Sequence, residues 1–128
     1  MKEASNAAPC DTQANPPSVW CIVLAYNGID LTLECLRSLR AQTYPNLHLL
    51  VVDNASTDGT RAVVEGCSSR LPQVRYCLEE RLGLSHARNR GWLEARGDYV
   101  GYLDDDAKAP PEWLDVALQT IVHGAPAA

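Results

Sequence analysis

Four short apolar runs, each emptying directly into a polar cluster, constrain this chain more than any other feature. The runs are Val19 to Ala25, Leu47 to Val52, Val74 to Leu78 and Tyr99 to Leu103. Each is too short for an independent helix and is dense in Leu, β-branched or aromatic residues, so each predicts a strand. Between them, apolar residues recur at helical spacing: Leu31, Cys35, Leu36 and Leu39 in the first stretch, Ala62, Val63 and Cys67 in the second. A third helix is predicted over about Leu84 to Arg96, with Gly97 as a left-handed cap. Pro110-Pro111-Glu112 opens a fourth, with Trp113, Leu114, Ala117 and Ile121 on its apolar side. Asp30 and Asp58 stand where the first two helices need N-terminal caps. Near-continuous apolar strands alternating with helices predict a doubly wound, mostly parallel α/β sheet with right-handed crossovers.

The 128 residues allow one domain with a real core. Eleven Lys and Arg against 16 Asp and Glu leave a net charge of −5, which argues against a binder of nucleic-acid backbones. The five cysteines, at 10, 21, 35, 67 and 77, form no C-x-x-C and sit at no zinc-site spacing, so they read as reduced. No signal-peptide core and no run of about 18 apolar residues occurs, which makes the cytoplasm the expected compartment, with peripheral attachment at the inner face of the membrane as its variant. Residues 1–17 are expected to be a disordered tail, 18–123 the domain and 124–128 a C-terminal tail.

In an open parallel sheet, ligands bind at the carboxyl ends of the strands where strand order reverses. With the order 3-2-1-4, Asn27 after the first strand, Asp53-Asn54 after the second and Asp104-Asp105-Asp106 after the fourth face one crevice. Side chains at i and i+2 of an extended segment point the same way, so Asp104 and Asp106 bring like charges together and call for a hard cation such as Mg²⁺ or Mn²⁺. The plain alternative is an acidic surface turn. Asp53-Asn54 either shapes the turn and caps the next helix or meets a ligand, for which Asp offers an acceptor and Asn both donor and acceptor. Arg88, Asn89 and Arg90 make another polar knot on the third helix, read as a diphosphate clamp or partner of the triplet, or as a solvated face. His86 reads as structural, and Trp92 and Trp113 as core.

These residues resemble the nucleotide-binding half of a family 2 glycosyltransferase with the GT-A fold. The resemblance rests on VLAYNGIDLTLECLRSL, VVDNASTDGT, GLSHARNRG and YLDDDAKAPPEWL, which occur in that order across about residues 19–115. It implies metal-dependent, inverting transfer of a sugar from a nucleoside diphosphate sugar of UDP, dTDP or GDP type to a saccharide or lipid-linked acceptor, as in cell-wall or polysaccharide biosynthesis. By resemblance, backbone around Ala25, Tyr26 and Asn27, together with Asp53 and Asn54, holds base and ribose. Arg88 and Asn89 line the donor pocket, Asp104 and Asp105 lie on the donor side, and Asp106 binds metal together with Asp104. The sequence ends 22 residues after Asp106, and neither Glu112 nor Asp115 matches the family's acceptor base, so the acceptor half is expected to be absent. The catalytic base is therefore unassigned.

Three other readings compete. A non-catalytic nucleotide-sugar-binding or interaction module would expose the fourth strand as an edge available for self-association. A phosphatase of the haloacid type also carries D-x-D after a parallel strand, but Lys108 stands where Thr or Val is expected. A dinucleotide-binding domain lacks its G-x-G-x-x-G, since Asn27-Gly28 stands alone after the first strand.

Overall fold

A computed structural model describes residues 2–3, 16–70 and 73–122. In chain order the elements are β1 (Lys2–Glu3), β2 (Val19–Ala25), α1 (Ile29–Arg40), β3 (Leu47–Asp53), α2 (Thr60–Arg70), β4 (Val74–Leu78), α3 (Leu84–Glu94), β5 (Tyr99–Asp104) and α4 (Trp113–Val122). The sheet runs β1-β5-β2-β3-β4. Its four long strands are mutually parallel, so the expected 3-2-1-4 order holds. β1 is an addition: Lys2 and Glu3 pair antiparallel with Val100 and Tyr99. Two residues of the expected tail are therefore strand, and the fourth predicted strand is not the open edge foreseen for it. The remainder of that tail up to residue 15, His123 and residues 124–128 lie outside the described residues.

β2 is the spine, with all seven residues buried. Its alternation sends Cys21, Val23 and Ala25 toward Cys35, Leu36 and Leu39 of α1 and Val64 of α2. Trp20, Ile22 and Leu24 face Ala87 of α3 on the opposite side. Fully burying each large side chain of this kind contributes about 1.5–3 kcal/mol, so two apolar layers suffice to fix the sheet. α3 packs tightly because position 91 is glycine, where a Cβ would meet Ile22 Cγ2 at 2.7 Å.

Several local expectations change. Gly97 is not a left-handed cap: α3 ends at Ala95 in extended conformation, and a Cβ at residue 97 would lie 2.6 Å from Trp20 Cδ1 and 2.9 Å from the Tyr99 carbonyl. Close approach, not φ, demands this glycine. Gly28 occupies the cap position of α1, and Asp30 lies inside the first turn. Asp58 precedes Gly59, whose carbonyl accepts the Val63 N–H, so the aspartate sits one residue before the cap position. It serves both helices nevertheless, accepting from the Thr60 N–H at 3.1 Å and the Ile29 N–H at 3.2 Å. Those bonds, led by the one from the Thr60 hydroxyl, hold its carboxyl below the ordinary range. Trp92 is 45% exposed and not core, because Ala87 and Gly91 form the buried stripe of α3. On α2 Val64 is buried and the expected Cys67 packs partly against the same core, while Ala62 is exposed.

Candidate functional site

Register builds the site. Leu24 lies opposite Asp104, Ala25 opposite Asp53, and Asp53 opposite Leu78, so the polar clusters leave the sheet at one level. A cleft of about 550 Å³ opens there, lined by Ala25, Tyr26, Asn54, the Leu82-Gly83-Leu84 segment, Ala87 and the Asp104-Asp106 triplet.

Two kinds of polar group surround it. The first kind is spent on the protein. Asp53 is 2% exposed; its Oδ1 accepts the Ser56 N–H at 3.0 Å and its Oδ2 the Tyr76 hydroxyl at 2.6 Å. Burial and then this bond to Asp53 push the Tyr76 hydroxyl well above its usual range. The Asn54 amide donates to the carbonyls of Glu79 at 3.2 Å and Arg81 at 2.7 Å, and its Oδ1 accepts the Gly83 N–H at 2.9 Å. Asn27 adopts φ 47°, as Asn tolerates, and its Oδ1 gathers the N–H groups of Thr57 at 2.7 Å and Asp58 at 3.3 Å. Its side chain ties the first turn to the second and is not among the groups lining the cleft.

Within the triplet, Asp105 belongs to this first kind. Its Oδ2 accepts from the hydroxyl of Thr32, a buried residue of α1, at 3.2 Å, and the Tyr26 backbone N–H donates to it as well. Burial raises the Asp105 carboxyl above its ordinary value and its acidic neighbours add to this, while the Thr32 and Tyr26 bonds pull the other way.

Asp104 and Asp106 are the second kind. Both are exposed, line the cleft, and have no hydrogen bond or ion pair to their carboxylates among the described residues. Beneath them the Cys35 thiol points at the Asp104 carbonyl at 3.6 Å; burial, followed by the three carboxylates, pushes it up to about 12, so it stays a thiol. Among the described residues no three His, Cys, Asp or Glu side chains converge to hold a metal alone.

The expected arginine knot is placed differently. Arg88 and Asn89 are exposed on α3 and do not line the cleft; the Arg88 carbonyl accepts from the Tyr102 hydroxyl at 3.1 Å. Arg90 turns toward β4, with its Nε 3.2 Å from Cys77 Sγ and 3.5 Å from Glu94, and so does not pair with the triplet. Sequence reasoning passed over Thr32, Tyr76 and the Leu82-Gly83-Leu84 wall. The only signal for Thr32 was a polar residue among the helical apolar positions of α1.

A protein-family model described as glycosyl transferase family 2 matches residues 20–128. The putative teichuronic acid biosynthesis glycosyltransferase TuaG of Bacillus subtilis is 35% identical over 108 residues, which are 84% of this chain and 43% of the relative. The glycosyltransferase AglE of Haloferax volcanii is 33% identical over 108 residues, 82% of this chain and 36% of that protein. Among solved structures, the mannosyltransferase PcManGT of Pyrobaculum calidifontis, in complex with GDP-Man and Mn²⁺, superposes with a TM-score of 0.70 at 35% identity, over 86% of this chain and 33% of that one. TarS 1–349 of S. aureus, in complex with UDP-GlcNAc, gives 0.72 at 29% identity, over 83% and 31%. The chain thus spans less than half the length of each of these proteins. With the family model matched from the second residue of β2 onward, over most of the chain, the chain belongs to glycosyl transferase family 2.

Proposed function

We propose that this chain forms the donor-binding part of an inverting glycosyltransferase that moves a sugar from a nucleoside diphosphate sugar to an acceptor hydroxyl. One observation carries the reading: of the carboxylates lining the cleft, Asp105 is tied to Thr32, whereas those of Asp104 and Asp106 have no partner among the described residues. Two hard oxygen donors of this kind fit Mg²⁺ or Mn²⁺, which commonly binds one or two carboxylates and completes its shell with water and substrate phosphates. That fits two acids rather than three converging ligands. When bound, the cation would neutralise charge growing on the diphosphate as it leaves.

The chain's own residues supply the rest. Asp104 and Asp106 hold the metal, with Asp104 also toward the ribose or sugar. Asp53, buried with one described partner on each oxygen, holds the Ser56 turn and the Tyr76 hydroxyl in place beside the cleft. The first turn of α3 lines the cleft, and its N-terminal dipole favours an anion there. Leu82 and Leu84, which are 62% and 53% exposed, supply apolar wall. In the transfer, the bond from the anomeric carbon to the phosphate oxygen breaks with its electron pair going to the diphosphate. A bond to the acceptor oxygen forms on the opposite face, and the acceptor proton passes to a base. No described residue is assigned that base; Asp115 is engaged by the Thr43 hydroxyl. Saccharide or lipid-linked acceptors fit this reading. No helix among the described residues is long and apolar enough to cross a membrane.

Calorimetric titration with UDP-, dTDP- and GDP-sugars in Mn²⁺ tests the reading. Binding by at least one, lost without metal and in Asp104→Ala/Asp106→Ala, is expected; no binding by any of them overturns it. A second reading, a non-catalytic module that self-associates through a sheet edge, is favoured by β4, beyond which no strand lies among the described residues. Sedimentation as a monomer with nucleotide bound would dismiss it.

A further inference from the structure

We infer that Asn54 is a positioning residue that builds the α3 wall of the cleft and does not touch the donor. The inference rests on the donor-binding reading, but it replaces the base-or-ribose role that family resemblance gives this residue.

A carboxamide has two N–H donors and one oxygen. Both donors of Asn54 are taken, by the carbonyls of Glu79 and Arg81, and the oxygen takes the Gly83 N–H. Its backbone N–H is bound to the Ala25 carbonyl at 2.8 Å, and the residue is 7% exposed. A ligand could recruit the amide N–H groups only by breaking a bond already made in a buried place, which leaves a backbone carbonyl unpaired there, and the remaining lone pair of Oδ1 sits on this same buried residue.

What the amide holds matters more than that it is occupied. Residues 79–83 leave β4 without regular structure. Gly83 is the cap residue of α3, and its φ of 138° lies where side chains are rarely tolerated. No side chain of the α3 segment caps that helix. Asn54, arriving from the end of β3, instead anchors the N–H of the cap residue itself and thereby fixes where α3 starts. Leu82, Gly83 and Leu84 then stand as wall to the cleft opposite Asp104-Asp106. Arg81 adds a second brace, since its N–H and guanidinium both reach the buried Glu79 carboxylate, at 2.9 and 3.2 Å.

Two measurements test this. In the wild-type chain, the Asn54 side-chain N–H₂ resonances are followed by NMR as UDP or GDP and Mn²⁺ are added. The inference expects them to be slowly exchanging before ligand and to shift far less than the backbone amides of residues 104–106; shifts as large as those overturn it. In Asn54→Ala, hydrogen exchange of the amides of residues 79–83 is expected to rise at least tenfold, and affinity for uracil and guanine nucleotides to fall together by roughly 5- to 20-fold. Unchanged exchange, or a loss confined to one base, overturns it. Asn54→Asp keeps the acceptor but offers no donor to two carbonyls, so it should be no better than Ala; near-normal affinity in Asp would mark a ligand contact instead. If neither variant folds, the wild-type NMR titration decides. If the wild type binds no nucleotide, the donor-binding reading fails while the exchange measurement still judges Asn54.

Discussion

The ends of β3 and β5 flank the end of β2 at one level of the sheet and are opposites in chemistry. β3 ends in Asp53 and Asn54, both buried, whose side chains are committed to Ser56, Tyr76, Glu79, Arg81 and Gly83. β5 ends in three acids, of which Asp105 is tethered and the other two line the cleft with no partner among the described residues. Two strand ends of similar composition therefore do different work: one builds the cleft and the other keeps the charges that a cation and a diphosphate can use. Preorganised surroundings around a few unsatisfied groups are what tight binding of a charged ligand requires, because the reorganisation has been met during folding.

Substitutions at the two ends should separate accordingly. The largest effect is expected for Asp106→Ala or Asp104→Ala: loss of a charged partner at the metal should weaken metal-dependent nucleotide binding by about 2–4 kcal/mol, roughly 30- to 700-fold, with the melting temperature unchanged or raised. Calorimetry and thermal unfolding on the same samples check this. Next comes Asp53→Ala, which strands the Ser56 N–H and Tyr76 hydroxyl and should cost about 2–3 kcal/mol of stability in urea titration. If Asp53→Ala kept full stability, the contrast between the two ends would collapse.

Thr32→Val should be milder. It removes the hydroxyl that holds Asp105 while nearly preserving volume, so about 1 kcal/mol of stability and a several-fold loss of Mn²⁺ affinity are expected. Thr32→Ser should restore the affinity. The smallest effect concerns Asp58. Its carboxyl is held below its ordinary value of 3.8, so its contribution is present above that pH and is lost as pH falls through the lower folded value. Asp58→Asn should therefore flatten the acid limb of a stability–pH profile. Asp105, raised by burial, has the opposite sign: its stabilising contribution belongs to low pH and is lost as pH rises through its folded value.

Much of this was readable in the chain, for physical reasons. Runs such as Val19 to Ala25 have to be buried strands, and polar residues that follow such strands have to emerge at one end of a parallel sheet. The division of labour among those residues was not readable. Asn54 bonds to groups 25 to 29 positions away, and nothing in its own surroundings announces them. Thr32 looks like an interruption of the apolar face of α1 until Asp105 is brought over it by the β2–β5 pairing. Trp92 was read as core on spacing alone, whereas the close packing of Gly91 on Ile22 leaves the buried face of α3 to small residues.

The central claim is that the two free acids bind and the tethered residues hold. Thermal unfolding of wild type and of Asp104→Ala/Asp106→Ala, each with and without a UDP- or GDP-sugar plus Mn²⁺, tests it most directly. At a hundredfold excess over Kd the wild type should gain about 2.7 kcal/mol, roughly 10 °C. The double variant should melt at the temperature of the unliganded wild type or above and gain nothing. A double variant that melts well below the wild type, or that gains as much from the ligand, would contradict the account.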